Sequence, residues 1–285
     1  MSLRIATWNI NSVRLRADLV GAFLDAHRPD ILCLQEIKCP ADAFPSATFR
    51  KRGYPHIAVN GRKGYHGVAV VSKVPFIRTL AREFCARDDA RHISVTVADG
   101  GSEILLHNFY VPAGGDEPDP VINPKFAHKL EFLDEMRSWL NGASASRPTV
   151  LVGDLNVAPL EHDVWSHRQL LRVVSHTPVE TDSLTRLQTT GQWVDAMRHF
   201  VPSDRKLYTW WSYRAHDWTV SNRGRRLDHI WVSPGLQDRL LGVEVVRDAR
   251  GWEQPSDHVP VILNLAPFSD RSHSAETRSG AKRVR

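Results

Sequence analysis

The chain has 285 residues, 42% of them hydrophobic, and a net charge of +5 at neutral pH. That suffices for a full core as one large domain, and the apolar and charged fractions are those of a globular chain. No apolar run approaches the ~18–20 residues that span a bilayer, and no signal-peptide pattern opens the sequence, so a cytoplasmic protein without a membrane partner is expected.

The three cysteines, Cys33, Cys39 and Cys85, are odd in number and lack paired metal spacing, which argues against a disulfide framework and a zinc site. The pI near 9.3 favours a polyanionic partner. Much of the excess charge sits at the end. Residues 269–285 carry five basic residues against Asp270 and Glu276, with almost no large apolar side chain. They read as a disordered basic tail behind one domain, residues 1–268.

In chain order, Ile5–Asn9 reads as a buried strand. Asn11 or Ser12 is expected to cap a helix whose apolar face is Val13, Ala17, Val20 and Leu24. Ile31–Leu34 is the next short strand, and β-rich runs follow at His56–Val59, Gly67–Val71, His92–Val97 and Ile104–Phe109. A Pro/Gly/Asp loop from Val111 to Pro124 leads into a second helix carrying Phe126, Leu130, Leu133 and Leu140. Thr149–Val152, Leu227–Val232, Val243–Val246 and Val259–Leu265 are further strands. Strands come in runs, without the strict alternation of a doubly wound sheet, so two sheets packed face to face with helices outside are expected.

Polar residues cluster at the ends of these apolar runs, where side chains project from rigid elements. Asn9 ends the first strand and Glu36 follows the second. Gly153-Asp154-Leu155-Asn156 ends a middle strand, Asp228 opens a late one, and Ser256-Asp257-His258 precedes the last. Each motif alone reads as a turn or a cap. Together they supply hard carboxylate and amide oxygens suited to Mg²⁺, with Mn²⁺ as an alternative. No Gly-x-x-x-x-Gly-Lys loop, His-Glu-x-x-His pair or Gly-x-Ser-x-Gly elbow is present, which removes support for NTPase, zinc-protease and serine-hydrolase chemistry.

These five motifs, in this order, resemble the exonuclease III/AP endonuclease family and, more broadly, the endonuclease/exonuclease/phosphatase superfamily. Tyr110-Val111-Pro112, Tyr208-Thr209-Trp210-Trp211 and Asn222-Arg223-Gly224-Arg225-Arg226-Leu227-Asp228 extend the match across roughly Leu3 to Leu265. The resemblance implies a four-layered α/β sandwich and a Mg²⁺-dependent DNA phosphodiesterase. It would incise 5′ to abasic sites and act as a 3′→5′ exonuclease or 3′-phosphatase on double-stranded DNA with abasic sites or blocked 3′ ends; with no clear oligomerisation signal in the sequence, a monomer is expected. Glu36 would be the main metal ligand, with Asn9 and Asp257 near it and Asp154, Asn156 and His258 completing the candidate metal set. Asp154 would orient or deprotonate the attacking water, Asn156 would position it, and Tyr110 and His258 would contact the scissile phosphate. Asp228 would orient His258. Trp210 would line the pocket for an extruded sugar, and Arg223 and Arg225, with Lys63, Arg87 and Arg91, are candidate phosphate contacts.

The sequence departs from the family pattern at Ala113, where Asn or Gln is usual, and in the Asp163–Gln169 loop, where His167 or Trp165 is expected to restrict the pocket. An alternative reading is therefore a 3′-end-processing enzyme without efficient abasic-site incision. Further rivals are a non-DNA phosphodiesterase of the same fold and an inactive DNA-binding protein.

Overall fold

The computed structural model describes residues 2–141, 147–215 and 217–268. The expected basic tail, residues 269–285, lies outside the described residues.

Two six-stranded sheets form the centre. The first runs in the order β13 (Leu240–Val245), β14 (Val261–Leu265), β1 (Leu3–Asn9), β2 (Ile31–Gln35), β4 (Val68–Ser72), β3 (His56–Asn60). The second runs β5 (Phe76–Ala81), β6 (His92–Asp99), β7 (Ser102–Tyr110), β8 (Thr149–Asp154), β12 (Asp228–Val232), β9 (Val194–Asp195). Each sheet is mixed, with one parallel pair at its centre: β1 with β2, and β7 with β8. A two-stranded ribbon, β10 (Trp210–Trp211) and β11 (Gly224–Arg225), stands apart from both sheets.

Strand periodicity explains the layers, because alternate side chains point to opposite faces. Ile5, Cys33, Val70, Leu106, Val150, Val152, Ile230 and Leu263 fill the space between the sheets. Their neighbours Ala6, Trp8, Leu32 and Leu34 face outward onto Val20, Phe23 and Leu24 of the helix Ala17–His27. On the other side, Phe109, Leu151 and Trp231 pack against Phe132, Leu133 and Leu187 from the helices Pro124–Leu140 and Pro178–Thr190. The expected sandwich with helices outside is what forms. Near the site end the two sheets are also pinned by polar groups: Gln35 Nε2 of the first sheet donates to Asn108 Oδ1 of the second at 2.7 Å.

Two local expectations need correction. Neither Asn11 nor Ser12 caps the first helix, which begins at Ala17 without a side-chain cap. Both adopt left-handed backbone, at φ 48° and 86°, and Ser12 N–H is bound to the Glu36 carbonyl at 2.8 Å. The segment is therefore stitched to the end of β2 before the helix starts. The edge strand β5 was not anticipated, because its residues are mostly exposed and its order comes from pairing with β6.

The cores carry buried histidines. His92 and His107 share a hydrogen bond of 3.0 Å among Phe84, Phe109 and Trp139, and His229 Nε2 lies 2.8 Å from the Val157 carbonyl. Burial pushes all three pKa values down: His92 well below the usual range, His107 to about 3 and His229 to about 4. Because these folded values are depressed, the unfolded chain takes up protons first as pH falls below ~6.5. The stabilisation from keeping them neutral is complete above that pH and is lost as pH falls towards the folded values. Each group costs about 1.4 kcal/mol per pH unit in that window, so the three together cost about 4 kcal/mol between pH 7.5 and 5.5. Guanidinium unfolding at the two pH values checks this, and a stability unchanged at pH 5.5 would sink the account.

Candidate active site

Strand ends from both sheets meet at one edge of the sandwich. β1 delivers Asn9 and β2 delivers Gln35 with Glu36 next to it, in parallel register. In the second sheet Tyr110, Asp154 and Asp228 lie in one cross-strand row, Tyr110 paired with Asp154 and Asp154 with Asp228. His258 stands just before β14, whose start lies beside the end of β1. Asn9, Glu36, Tyr110, Asp154, Asn156, Trp210, Arg223, Arg225, Asp257 and His258 all line one cavity of about 920 Å³. Asp228 lies behind it, fully buried. These eleven expected site residues are thus at this edge, whereas the other candidate phosphate contacts, Lys63, Arg87 and Arg91, do not line the cavity.

The local backbone is unusual where the chemistry sits. Glu36 and Asn156 both have φ 54°, a left-handed conformation that non-glycine residues adopt at a cost and that concentrates at functional sites. Gly153 (φ 140°) is required for another reason, since a Cβ there would collide with the Phe109 carbonyl on the neighbouring strand. That close approach is what brings Asp154 level with Tyr110.

Asp154 is 1% exposed and its carboxylate is held from two sides. Oδ1 accepts from Asn156 N–H at 2.9 Å, and Oδ2 accepts from Asn9 Nδ2 at 2.9 Å and Asn156 Nδ2 at 3.1 Å. The Asn9 amide cannot be turned round, because its Oδ1 accepts from Asn11 N–H at 3.0 Å. Burial, helped by the Asp228 charge, holds the Asp154 pKa above the usual carboxylate range, against the opposing pull of the His258 charge and the amide donors.

His258 Nδ1 donates to Asp228 Oδ2 at 2.8 Å, and its Nε2 lies 3.7 Å from Asp154 Oδ2. Burial works against the imidazolium, but Asp228 and Asp154 overcome it and raise the pKa well above the histidine range. The ring is fixed further by its backbone, since Trp8 Nε1 donates to the His258 carbonyl at 3.0 Å. Asp154, Asp228 and His258 are also the one group of acidic or histidine ligands, among the described residues, close enough together to hold a cation. We read them instead as a hydrogen-bonded relay, because a protonated imidazole has no lone pair for a metal.

The remaining carboxylates stand on the other wall. Glu36 is partly exposed, with Lys38 Nζ at 3.1 Å. Asp257 accepts from Trp210 Nε1 at 2.9 Å and Asn11 Nδ2 at 3.2 Å. The Tyr110 hydroxyl has no partner among the described residues. Burial raises its pKa far above the phenol range, so it stays a neutral donor.

The sequence reading named Arg91 and Arg225 without their partners, and it passed over Lys129. Arg91 is a buried clamp, not a surface phosphate contact: it is paired with Asp89, donates to the Tyr110 carbonyl at 3.2 Å, and stacks its guanidinium 4.9 Å from the Tyr110 ring. Arg225 has part of its fork engaged by the Val174 carbonyl and Ser175 Oγ, at 2.9 and 2.8 Å. Lys129 is fully buried and donates to the carbonyls of Asn156 (2.7 Å) and Ala113 (3.2 Å) and to Glu180. One ammonium thereby ties the loops after β7 and β8 to the N-terminus of the helix Pro178–Thr190. A lysine in register with Phe126 and Leu133 on an apolar helix stripe was the signal for it. Of the two residues expected to restrict the pocket, Trp165 lines the cavity, whereas His167 does not and instead meets His176 Nε2 at 2.8 Å.

Comparison with known proteins agrees with this geometry. Residues 6–258 match the model of the Endonuclease/Exonuclease/phosphatase family. The chain is 30% identical to exodeoxyribonuclease III of Haemophilus influenzae over 91% of its own length and 98% of that protein. It is also 30% identical to the DNA repair nuclease APEX1 of Danio rerio, over 93% and 83% of the two chains. Among solved structures it superposes on the 3′ phosphatase NExo from Neisseria, bound to a product DNA hairpin, with TM-score 0.84, 30% identity and coverage of 93% and 99%. An AP endonuclease from Archaeoglobus fulgidus gives TM-score 0.83, 31% identity and coverage of 92% and 99%. With the sandwich, the strand-end carboxylates and the Asp228–His258 pair in the order that the motifs predicted, the chain belongs to the Endonuclease/Exonuclease/phosphatase family, on its exonuclease III side.

Proposed function

We propose that the protein is a metal-dependent DNA phosphodiesterase of base excision repair that incises 5′ to abasic sites and processes 3′ ends. The observation that carries this reading is Asp154. It is a buried carboxylate oriented by three amide donors, next to an imidazolium that Asp228 keeps charged.

Glu36 and Asp257 offer hard carboxylate oxygens at the cavity wall, and Asn156 Oδ1 receives no hydrogen bond among the described residues. This oxygen set fits Mg²⁺ or Mn²⁺, and Lys38 beside Glu36 already marks a place where positive charge is stable. Bound there, the ion would supply Lewis-acid neutralisation of the charge that develops on the phosphoryl and leaving 3′ oxygens. Asn9, expected as a ligand, has both amide atoms engaged and acts on this reading by aiming Asp154.

The chain's own groups do the rest. Asp154 takes a proton from the attacking water, for which it must be ionised, and the amide donors favour that form. His258 donates from Nε2 to a phosphoryl oxygen as negative charge grows there. Tyr110 donates its free hydroxyl to the same phosphate. Trp210 lines the cavity beside these groups, where an abasic sugar is cheap to extrude because it has little stacking to lose. Arg223 and Arg225 add positive charge at the rim, suited to a DNA backbone.

The test is an end-labelled duplex with one abasic-site analogue, incubated with Mg²⁺ or with EDTA. A single Mg²⁺-dependent cut 5′ to the lesion is expected. Absence of that cut, with 3′ ends still trimmed or dephosphorylated, would move the function to end processing; cleavage undiminished in EDTA would overturn the metal assignment.

A further inference from the structure

We propose that the cavity accepts a whole 3′-terminal nucleotide, with Trp165 as the surface on which its base stacks. The inference rests on the nuclease reading above and specifies which ends that site prefers.

The cavity is large for a bare sugar. At about 920 Å³ it lies near the top of the ~300–1,000 Å³ range of pockets that enclose drug-sized ligands. Its far wall is built on a short ladder that begins at the catalytic histidine. Trp210 pairs with His258 on one side and with Arg225 on the other, and Arg225 pairs in turn with Val164. Trp165 continues that outermost segment, its N–H bound to the Gly224 carbonyl at 3.1 Å. Three ladder steps of ~4.8 Å place the Trp165 segment about 14 Å from His258. A sugar attached to the phosphate at His258 reaches Trp210, and only a base carried on that sugar reaches Trp165.

Both indoles are held for contact. The Arg223 guanidinium lies 4.7 Å from the Trp165 ring and that of Arg225 lies 5.3 Å from the Trp210 ring. Both rings pack on a small cluster of Val164, Leu170 and Leu227, separate from the three main cores. Trp165 is half-buried and lines the cavity, so it presents aromatic surface to whatever enters. Aromatic faces with nearby guanidinium charge suit any base, because every base offers a π-face, and stacking of this kind does not read sequence. The expected preference is therefore for 3′ ends that carry a base, independent of which base it is.

The experiment uses the full chain and a 3′-recessed duplex ending in 2-aminopurine, whose fluorescence is quenched by stacking. In EDTA, wild type is expected to quench it, Trp165→Ala to lose most of the quench, and Trp165→Phe to restore it. In Mg²⁺, Trp165→Ala is expected to lower kcat/KM for release of a base-bearing terminal nucleotide about tenfold more than for a terminal tetrahydrofuran residue. Equal losses on the two ends, or a quench unchanged in Trp165→Ala, would overturn the proposal by making Trp165 only a wall. If wild type cleaved neither end while quenching persisted, the nuclease reading would fail and the stacking surface would stand.

Discussion

Asp154→Asn is expected to lower the rate of DNA cleavage by about 10³, within the ~10²–10⁴ that a positioned general base contributes. The substitution keeps the size of the side chain but removes the group that takes the proton. It also places an amide NH₂ where the carboxylate accepted three hydrogen bonds, from Asn9 and from two donors of Asn156. One of those donors then faces another donor, which costs about 1–3 kcal/mol of stability. Relief of the buried charge offsets part of that cost, so the protein should remain folded and still bind DNA. Single-turnover cleavage of the abasic duplex, with thermal unfolding and DNA binding as controls, separates the effects. A folded Asp154→Asn protein within tenfold of wild-type rate would remove Asp154 from the proton transfer and leave it a structural acceptor.

The second large effect concerns His258 and Asp228 as a unit. His258→Gln is expected to lower kcat by about 10²–10³, the typical loss on removing one donor aimed at developing charge. Asp228→Asn should cost nearly as much. Burial disfavours the His258 cation, and the Asp228 carboxylate 2.8 Å from Nδ1 is the nearest of the charges that outweigh burial. The double variant should then be little worse than His258→Gln alone, because Asp228 acts through the ring it orients. Additive losses in the double variant would mean that Asp228, fully buried behind the cavity, acts by some route other than His258.

Much of this site was visible in the sequence because its residues sit at the ends of apolar runs. Asn9, Glu36, Asp154, Asp228 and His258 stood out as a set because all fall at or beside the ends of apolar runs, although each motif alone reads as a turn or a cap. The resemblance then supplied their order and roles. Other features were invisible for stated reasons. Arg91 looked like any basic residue near the expected site, and only packing showed it folded beneath Tyr110. Asn11 and Ser12 look like helix caps, yet a hydrogen bond to the far-off Glu36 carbonyl holds Ser12 outside the helix.

The sequence by itself therefore determined the layers, through the period-two alternation that sends Ile5 inward and Ala6 outward, and it determined the inventory of reactive groups. The tertiary structure decided which of them touch. Asn9 and Asp154 are 145 residues apart and belong to different sheets, so their 2.9 Å hydrogen bond exists only because the sheets pack face to face. The row of Tyr110, Asp154 and Asp228 depends on strand register, and a slip of one residue would turn each side chain to the other face. Trp165 became a wall of the cavity through its N–H bond to the Gly224 carbonyl and the pairing of its neighbour Val164 with Arg225, contacts some 60 residues away that no local pattern encodes.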